Sequence, residues 1–211
     1  MPGFLGGVIA ANIFNGIGVG GTAPALTLSG ASFAPGKFNS GLAAGTATAM
    51  IAIPGIARGV GFWLHKASVA AYVTFLQLTG FVSFGTGDSS RIESDSNGST
   101  PPGISPPSTS YFPTDLLTSG DHYIYYDVAS DGSCNLYANG TGQTSGSASL
   151  SAGNCTINLD TSRLGGSTVI SDLCVWGTSN TGRAPPPTAP LVPGANMIAL
   201  WPLNGSATSL V

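Results

Sequence analysis

The chain has 211 residues, of which 42% are hydrophobic and only 7% charged, with a formal net charge of −3 and a pI near 4.9. Roughly 25% charge is usual in a soluble domain, yet the apolar content excludes a disordered polyelectrolyte. The six Lys and Arg are spread thinly from Lys37 to Arg183, which excludes a basic nucleic-acid surface.

The length suits one large β-sandwich, and neither half alone would hold a complete one. Residues 1–24 read as an apolar, glycine-rich N-terminal arm. They are apolar enough to suggest a signal peptide, but a basic n-region is missing and Gly and Asn interrupt any helix. No segment reads as a membrane span. Short apolar runs separated by Gly, Ser, Asn and Pro follow, which is an all-β pattern. The predicted strands are Ala25–Leu28, Ser40–Ala43, Ala47–Ile53, Gly61–Lys66, Val69–Thr79 and Phe81–Gly85, then His122–Val128, Ser133–Ala138, Thr156–Leu159 and Ser171–Trp176.

In "HYIYYDV", alternation puts His122, Ile124, Tyr126 and Val128 on one face and Tyr123, Tyr125 and Asp127 on the other. Asp131-Gly132 and Asn139-Gly140 bracket the next strand as hairpin dipeptides. Residues 88–114 are polar and Pro-rich and read as a loop insertion. Residues 181–197 read as a Pro-rich arm; its five prolines between 182 and 194 allow an extended reach, of about 40 Å at ~3.1 Å per residue. Residues 198–211 open with "IALWPLNG", an apolar strand with a closing turn at the end of the chain.

Several of these stretches resemble LamG-like, concanavalin A-like jelly-roll domains. "LTLSGASFAPGKFNSGLAAG" resembles the family's early strand, Phe-x-x-Gly-Lys-Phe-type turn and small-residue strand. "GFWLHK" resembles a central strand, "HYIYYDVASDGSCNLYANG" the hairpin and "ISDLCVWGTSNTGRA" the closing strand, in the family's order over residues 25–180. The family's opening strand is missing at the N-terminus, and "MIALWPLNG" fits it at the C-terminus. The resemblance therefore implies a single jelly-roll β-sandwich with extended arms. Its missing strand would come from residues 198–211, of this chain or of a neighbour.

Chemistry is sparse. Paired carboxylates of a glucanase are absent, Glu93 being the single Glu. His65 and His122 lie on strands, and there is no Gly-x-Ser-x-Gly elbow. The two His and three scattered Cys do not compose a zinc site. Cys134, Cys155 and Cys174 read as buried thiols, with a Cys134–Cys155 bridge as the alternative. The sequons at Asn97, Asn139, Asn154 and Asn204 are what so Ser/Thr-rich a chain supplies by chance, unless it is a secreted eukaryotic protein, where they would be glycosylation acceptors. No cofactor is expected. Calcium is a candidate ligand by family resemblance, with Asp88, Glu93, Asp95 and Asp160 available, each also readable as a solvated turn residue.

Two non-enzymatic readings follow. In the first, the protein is a structural protein of a virus particle, such as a bacteriophage capsid decoration (cement) protein on the virion surface. Its partners would be copies of itself and a major capsid or other virion protein. Contacts would come from Phe4, Leu5, Ile9, Ile13 and Phe14 of one arm and Ile198, Leu200 and Trp201 of the other. The near-uncharged surface, which offers little protection against association, suits this reading. In the second, the chain is an extracellular carbohydrate-binding module. Tyr123, Tyr125, Tyr137 and Asn139 would line the sugar site, unless the tyrosines pack as cross-strand pairs instead.

Overall fold

The computed structural model describes residues 23–55, 58–66, 73–86, 92–95, 109–111, 120–148, 150–165 and 168–211. Among these residues lie thirteen strands: β1 Thr27–Pro35, β2 Ser40–Ile53, β3 Arg58–Lys66, β4 Thr74–Leu78, β5 Val82–Thr86, β6 Ile92–Asp95, β7 Thr109–Tyr111, β8 Gly120–Val128, β9 Ser133–Ala138, β10 Thr141–Ser147, β11 Gly153–Asp160, β12 Val169–Trp176 and β13 Met197–Trp201. Two 3-10 turns, Thr161–Leu164 and Thr181–Arg183, complete the regular structure, with no α-helix among the described residues.

All the strand pairings are antiparallel. One layer runs β10-β9-β8-β3-β12, with β13 beyond β12; the other runs β2-β11-β4-β5-β6-β7, with β1 beside β2. The layers join where Ile170 of β12 sits opposite Leu42 of β2. From that join the sheet folds over on itself. Phe62 of β3 meets Phe84 of β5 edge-on at 5.1 Å and Phe75 of β4 at 6.0 Å, while Tyr126 of β8 packs on Phe81 at 5.8 Å. These strands are not hydrogen-bonded neighbours, so the ring contacts define the interior of an all-β sandwich.

Alternation fills that interior. In β9, Cys134, Leu136 and Ala138 are buried between half-exposed residues; in β11, Cys155, Ile157 and Leu159 do the same. Their removal from water is the main favourable contribution, at roughly 25 cal/mol per Å² of apolar surface. All three cysteines are buried thiols that form no disulfide.

β12 is buried along its whole length. Ile170, Leu173 and Val175 enter the main core, whereas Cys174 and Trp176 join a second apolar cluster on the outside of the sheet. The in-out pattern slips by one at Asp172, which has a φ of 52° and lies at a register break against β3. That is a β-bulge, with one extra residue on one strand.

Several elements differ from the sequence reading. Ser40–Ala43 and Ala47–Ile53 are one continuous strand, β2. Gly45 lies within it at a φ of 104°, pressed so closely on β1 that a Cβ would stand 2.7 Å from the Cα of Ala31. Only glycine meets both demands. Residues 88–114, read as a loop, contribute the short strands β6 and β7. β10, "TGQTSGS", has no apolar alternation to announce it; the Asn139-Gly140 turn places it, with φ values of 50° and 84° in a two-residue connection.

The C-terminal strand pairs within this chain. β13 lies along β12, with Leu173 opposite Trp201 and Cys174 opposite Leu200. Trp201 Nε1 donates to the Pro24 carbonyl at 3.0 Å, and the tail returns so that the Ala23 amide donates to the Val211 carbonyl at 2.5 Å. Leu200 and Trp201, expected to bind a partner, are fully buried by these contacts, and Ile198 packs partly against the main core. Their apolar surface is therefore spent on their own sandwich rather than offered to a neighbour. Phe4, Leu5, Ile9, Ile13 and Phe14 lie outside the described residues.

Candidate functional site

The outer face of the β3/β8/β12 sheet is aromatic. Trp63, Tyr123, Tyr125 and Trp176 lie on it because each alternates with a core residue on its strand. Trp63 contacts Tyr123 at 5.3 Å, and Tyr125 contacts both Trp176 and Tyr137, at 5.8 and 5.9 Å. The tyrosine rings can lie flat over β3 because the sequence supplies Gly59 and Gly61 there. A Cβ on Gly61 would stand 2.5 Å from the Tyr123 hydroxyl.

This face is covered. The Pro-rich arm brings Ala184 and Leu191 onto it, Val211 adds to it, and Arg183 lies over Trp176 at 4.9 Å. Tyr123 is 1% exposed and Tyr125 fully buried. Burial raises the pKa of both, that of Tyr125 to about 12 with help from the nearby Asp127 charge. Neither ring has an open face on which a sugar could stack, so the expected role of Tyr123 and Tyr125 as carbohydrate contacts is corrected. They pack as cross-strand pairs. Tyr137 is partly buried against Tyr125. Asn139 is exposed but already committed: its Oδ1 accepts from the Tyr123 amide at 2.9 Å, and its Nδ2 lies 3.1 Å from His122 Nδ1.

At a corner of the same face, Asp121 receives His65 Nδ1 at 2.5 Å and Lys37 Nζ at 3.1 Å, and Lys37 sits 5.2 Å from the Trp63 ring. Burial opposes ionisation of Asp121, but the His65 and Lys37 hydrogen bonds outweigh it and hold the carboxyl below its ordinary value. The cluster ties the 36–39 turn to the sheet.

The outer face of the other layer is different. A groove of about 340 Å³ opens there on β2, β11 and β4, with Thr46, Thr48, Asn158, Asp160, Thr74 and Gln77 among its lining residues and Arg163 at one end. Register brings these residues together: Thr48 is opposite Asn158, Thr46 opposite Asp160, and Asn158 opposite Gln77. They face outward because Ala47, Ile157, Leu159 and Leu78 take the inward positions. Arg163, carried on the 3-10 turn after β11, pairs with Asp160 Oδ2 at 3.2 Å and donates to the Thr74 carbonyl at 3.3 Å. Ser162 donates to the other Asp160 oxygen. Thr74 Oγ1 is buried without a hydrogen-bond partner.

The groove thus offers hydroxyls, amides and one neutralised ion pair. Such groups exchange hydrogen bonds with a polyhydroxylated ligand. They do not compose a nucleophile with its base, nor two carboxylates flanking a bond. Of the calcium candidates, Asp160 is engaged by Arg163 and Ser162; Asp88 and the side chains of Glu93 and Asp95 lie outside the described residues. Among the described residues, no group of three or more His, Cys, Asp or Glu is placed to hold a metal ion, and no helix is long and apolar enough to cross a membrane. Sequence reasoning passed over Thr46, Thr48, Gln77 and Asn158. The signal was the alternation in "TATA" and "TINLD", whose outward positions are Thr46 and Thr48, and Thr156, Asn158 and Asp160.

No family model and no curated protein matches the chain. Solved structures do. The receptor-binding domain of the botulinum neurotoxin C/D mosaic serotype superposes with a TM-score of 0.53 at 13% identity, covering 75% of this chain and 44% of that one. The botulinum neurotoxin serotype D ligand-binding domain in complex with N-acetylneuraminic acid gives 0.53 at 11%, over 74% and 44%. The botulinum neurotoxin DC binding domain in complex with SialylT gives 0.52 at 11%, over 75% and 44%. The chain therefore spans less than half the length of these structures, and at this identity the likeness shows the β-sandwich fold.

Proposed function

We propose that the protein is a non-enzymatic carbohydrate-binding module of jelly-roll type, acting outside the cell, whose ligand lies in the groove on β2, β11 and β4. The observation that carries this reading is the groove itself: a row of Thr, Asn and Gln side chains on a rigid sheet, covered by no segment among the described residues, with a buried Thr74 hydroxyl lacking a partner. Strands hold these groups at fixed spacing, so little side-chain order remains to be imposed on binding. Each exchange of water for a sugar hydroxyl returns only about 0.5–1.5 kcal/mol net, so the affinity is modest and built from several contacts. Similar sandwiches complexed with N-acetylneuraminic acid and SialylT support a glycan ligand.

The virion reading draws no comparable support. Its first arm lies outside the described residues, and its second is used up on the chain's own sheet. Glycan-array binding by the whole chain tests the proposal. Asn158→Ala is expected to abolish the signal and Tyr137→Ala to preserve it. Silence across the array, or loss with Tyr137→Ala but not Asn158→Ala, would overturn the groove assignment.

A further inference from the structure

We infer that the groove is shaped for an uncharged, linear oligosaccharide laid across the strands rather than for a single acidic sugar; this rests on the glycan-binding proposal. The first argument is direction. The lining draws on three strands but on little more than two successive outward positions of each, so its long axis crosses the strands. Thr48, Asn158 and Gln77 stand in one transverse row, fixed by successive cross-strand pairs. Thr27 of β1, exposed and opposite Thr48, extends the row by one strand. Four strands at ~4.8 Å spacing give a row of about 14 Å, more than one pyranose ring occupies.

The second argument is charge. Asp160 and Arg163 are the charged groups of the groove, and they neutralise each other at 3.2 Å. An anionic sugar would gain from the guanidinium what it lost to the carboxylate, and would have to compete for Arg163. A neutral ligand meets no such cost. The third is that no stacking platform stands among the described lining residues: Phe75, the aromatic there, is 1% exposed. Recognition by hydroxyls and amides returns little per contact, so contacts must accumulate over several sugar units.

Calorimetry with the full chain tests this. The probes are neutral series from mono- to hexasaccharide (β-1,4-glucan, β-1,4-xylan and α-1,5-arabinan oligomers), with 3′-sialyllactose as the acidic probe. In one neutral series, affinity is expected to rise about tenfold or more from one to four units and to hold between 50 and 500 mM NaCl, since nothing ionic is screened. Thr27→Ala is expected to weaken the tetrasaccharide about threefold while leaving the disaccharide unchanged. Preference for 3′-sialyllactose, or an affinity flat with length, each abolished by Asn158→Ala, would overturn the inference and leave the groove as the glycan site. Failure of every probe, together with a silent glycan array, would overturn both.

Discussion

The two outer faces of the sandwich are built on the same alternation and put to opposite use. On the β3/β8/β12 side the outward residues are Trp and Tyr, and the Pro-rich arm and the chain terminus lie on top of them. On the β2/β11/β4 side they are Thr, Asn and Gln, and a groove remains open. The difference follows from solvation. Aromatic side chains each bury some 150–250 Å² when covered, enough to hold down an arm whose prolines had little backbone freedom to lose. A row of hydroxyls and amides offers no such gain, and no segment among the described residues is drawn over it. The richer surface became core, and the plainer one keeps its groove among the described residues.

The covered face should behave as core when cut into. Trp176 is 4% exposed, packed on Tyr125 and beneath Arg183. Trp176→Ala is expected to lower stability by about 3–5 kcal/mol, read from the midpoint of urea unfolding. A loss below about 1 kcal/mol would mean that the arm does not hold its place and that the two faces are less unlike than described.

Asp172 sharpens the contrast from another side. It is 2% exposed, its Oδ2 has no hydrogen-bond partner, and burial pushes its pKa up to about 6. In the unfolded chain the value is near 3.9. The native state therefore binds the proton more tightly, and this residue costs stability progressively as pH climbs from about 4 to about 6. Asp172→Asn removes the charge and keeps a residue that tolerates the φ of 52°. It is expected to stabilise the fold by about 2–3 kcal/mol at pH 7.5 and to change little at pH 4. Equal effects at both pH values in urea titrations would show that the carboxylate is not desolvated.

The turns on either side of β9 and the in-out order of "HYIYYDV" were legible in the sequence because alternation and the Asp131-Gly132 and Asn139-Gly140 dipeptides are local signals. So was the C-terminal strand, whose apolar "MIALW" demanded burial. Residues 88–114 hid β6 and β7, since short strands in a Pro- and Ser-rich stretch have no pattern of their own. Tyr123 and Tyr125, read as sugar contacts, are buried for a physical reason. Alternation tells which residues point outward, but not whether another segment lies over them. Tyr123 and Tyr125 were correctly placed on the outward face, and Ala184 and Leu191, some 60 residues later, close that face. Thr48 and Asn158 come together only through the pairing of β2 with β11, which neither strand announces.

The open face should carry its residues at little energetic consequence, which makes for the smallest effect. Thr48 and Asn158 are half-exposed, and they make no packing contact that defines the core. Truncating either to Ala removes surface atoms and leaves the backbone pairing of β2 with β11 intact, so stability should stay within about 0.5 kcal/mol of the parent. The value of the measurement lies in pairing it with glycan binding. A residue that holds the fold together loses function because the fold is weakened, and the two losses move in step. A residue kept for a ligand loses binding at constant stability. Asn158→Ala unfolding at the parental urea concentration while failing to bind glycan would separate the two faces by function. A destabilisation approaching that of Trp176→Ala would instead make the groove a second structural surface.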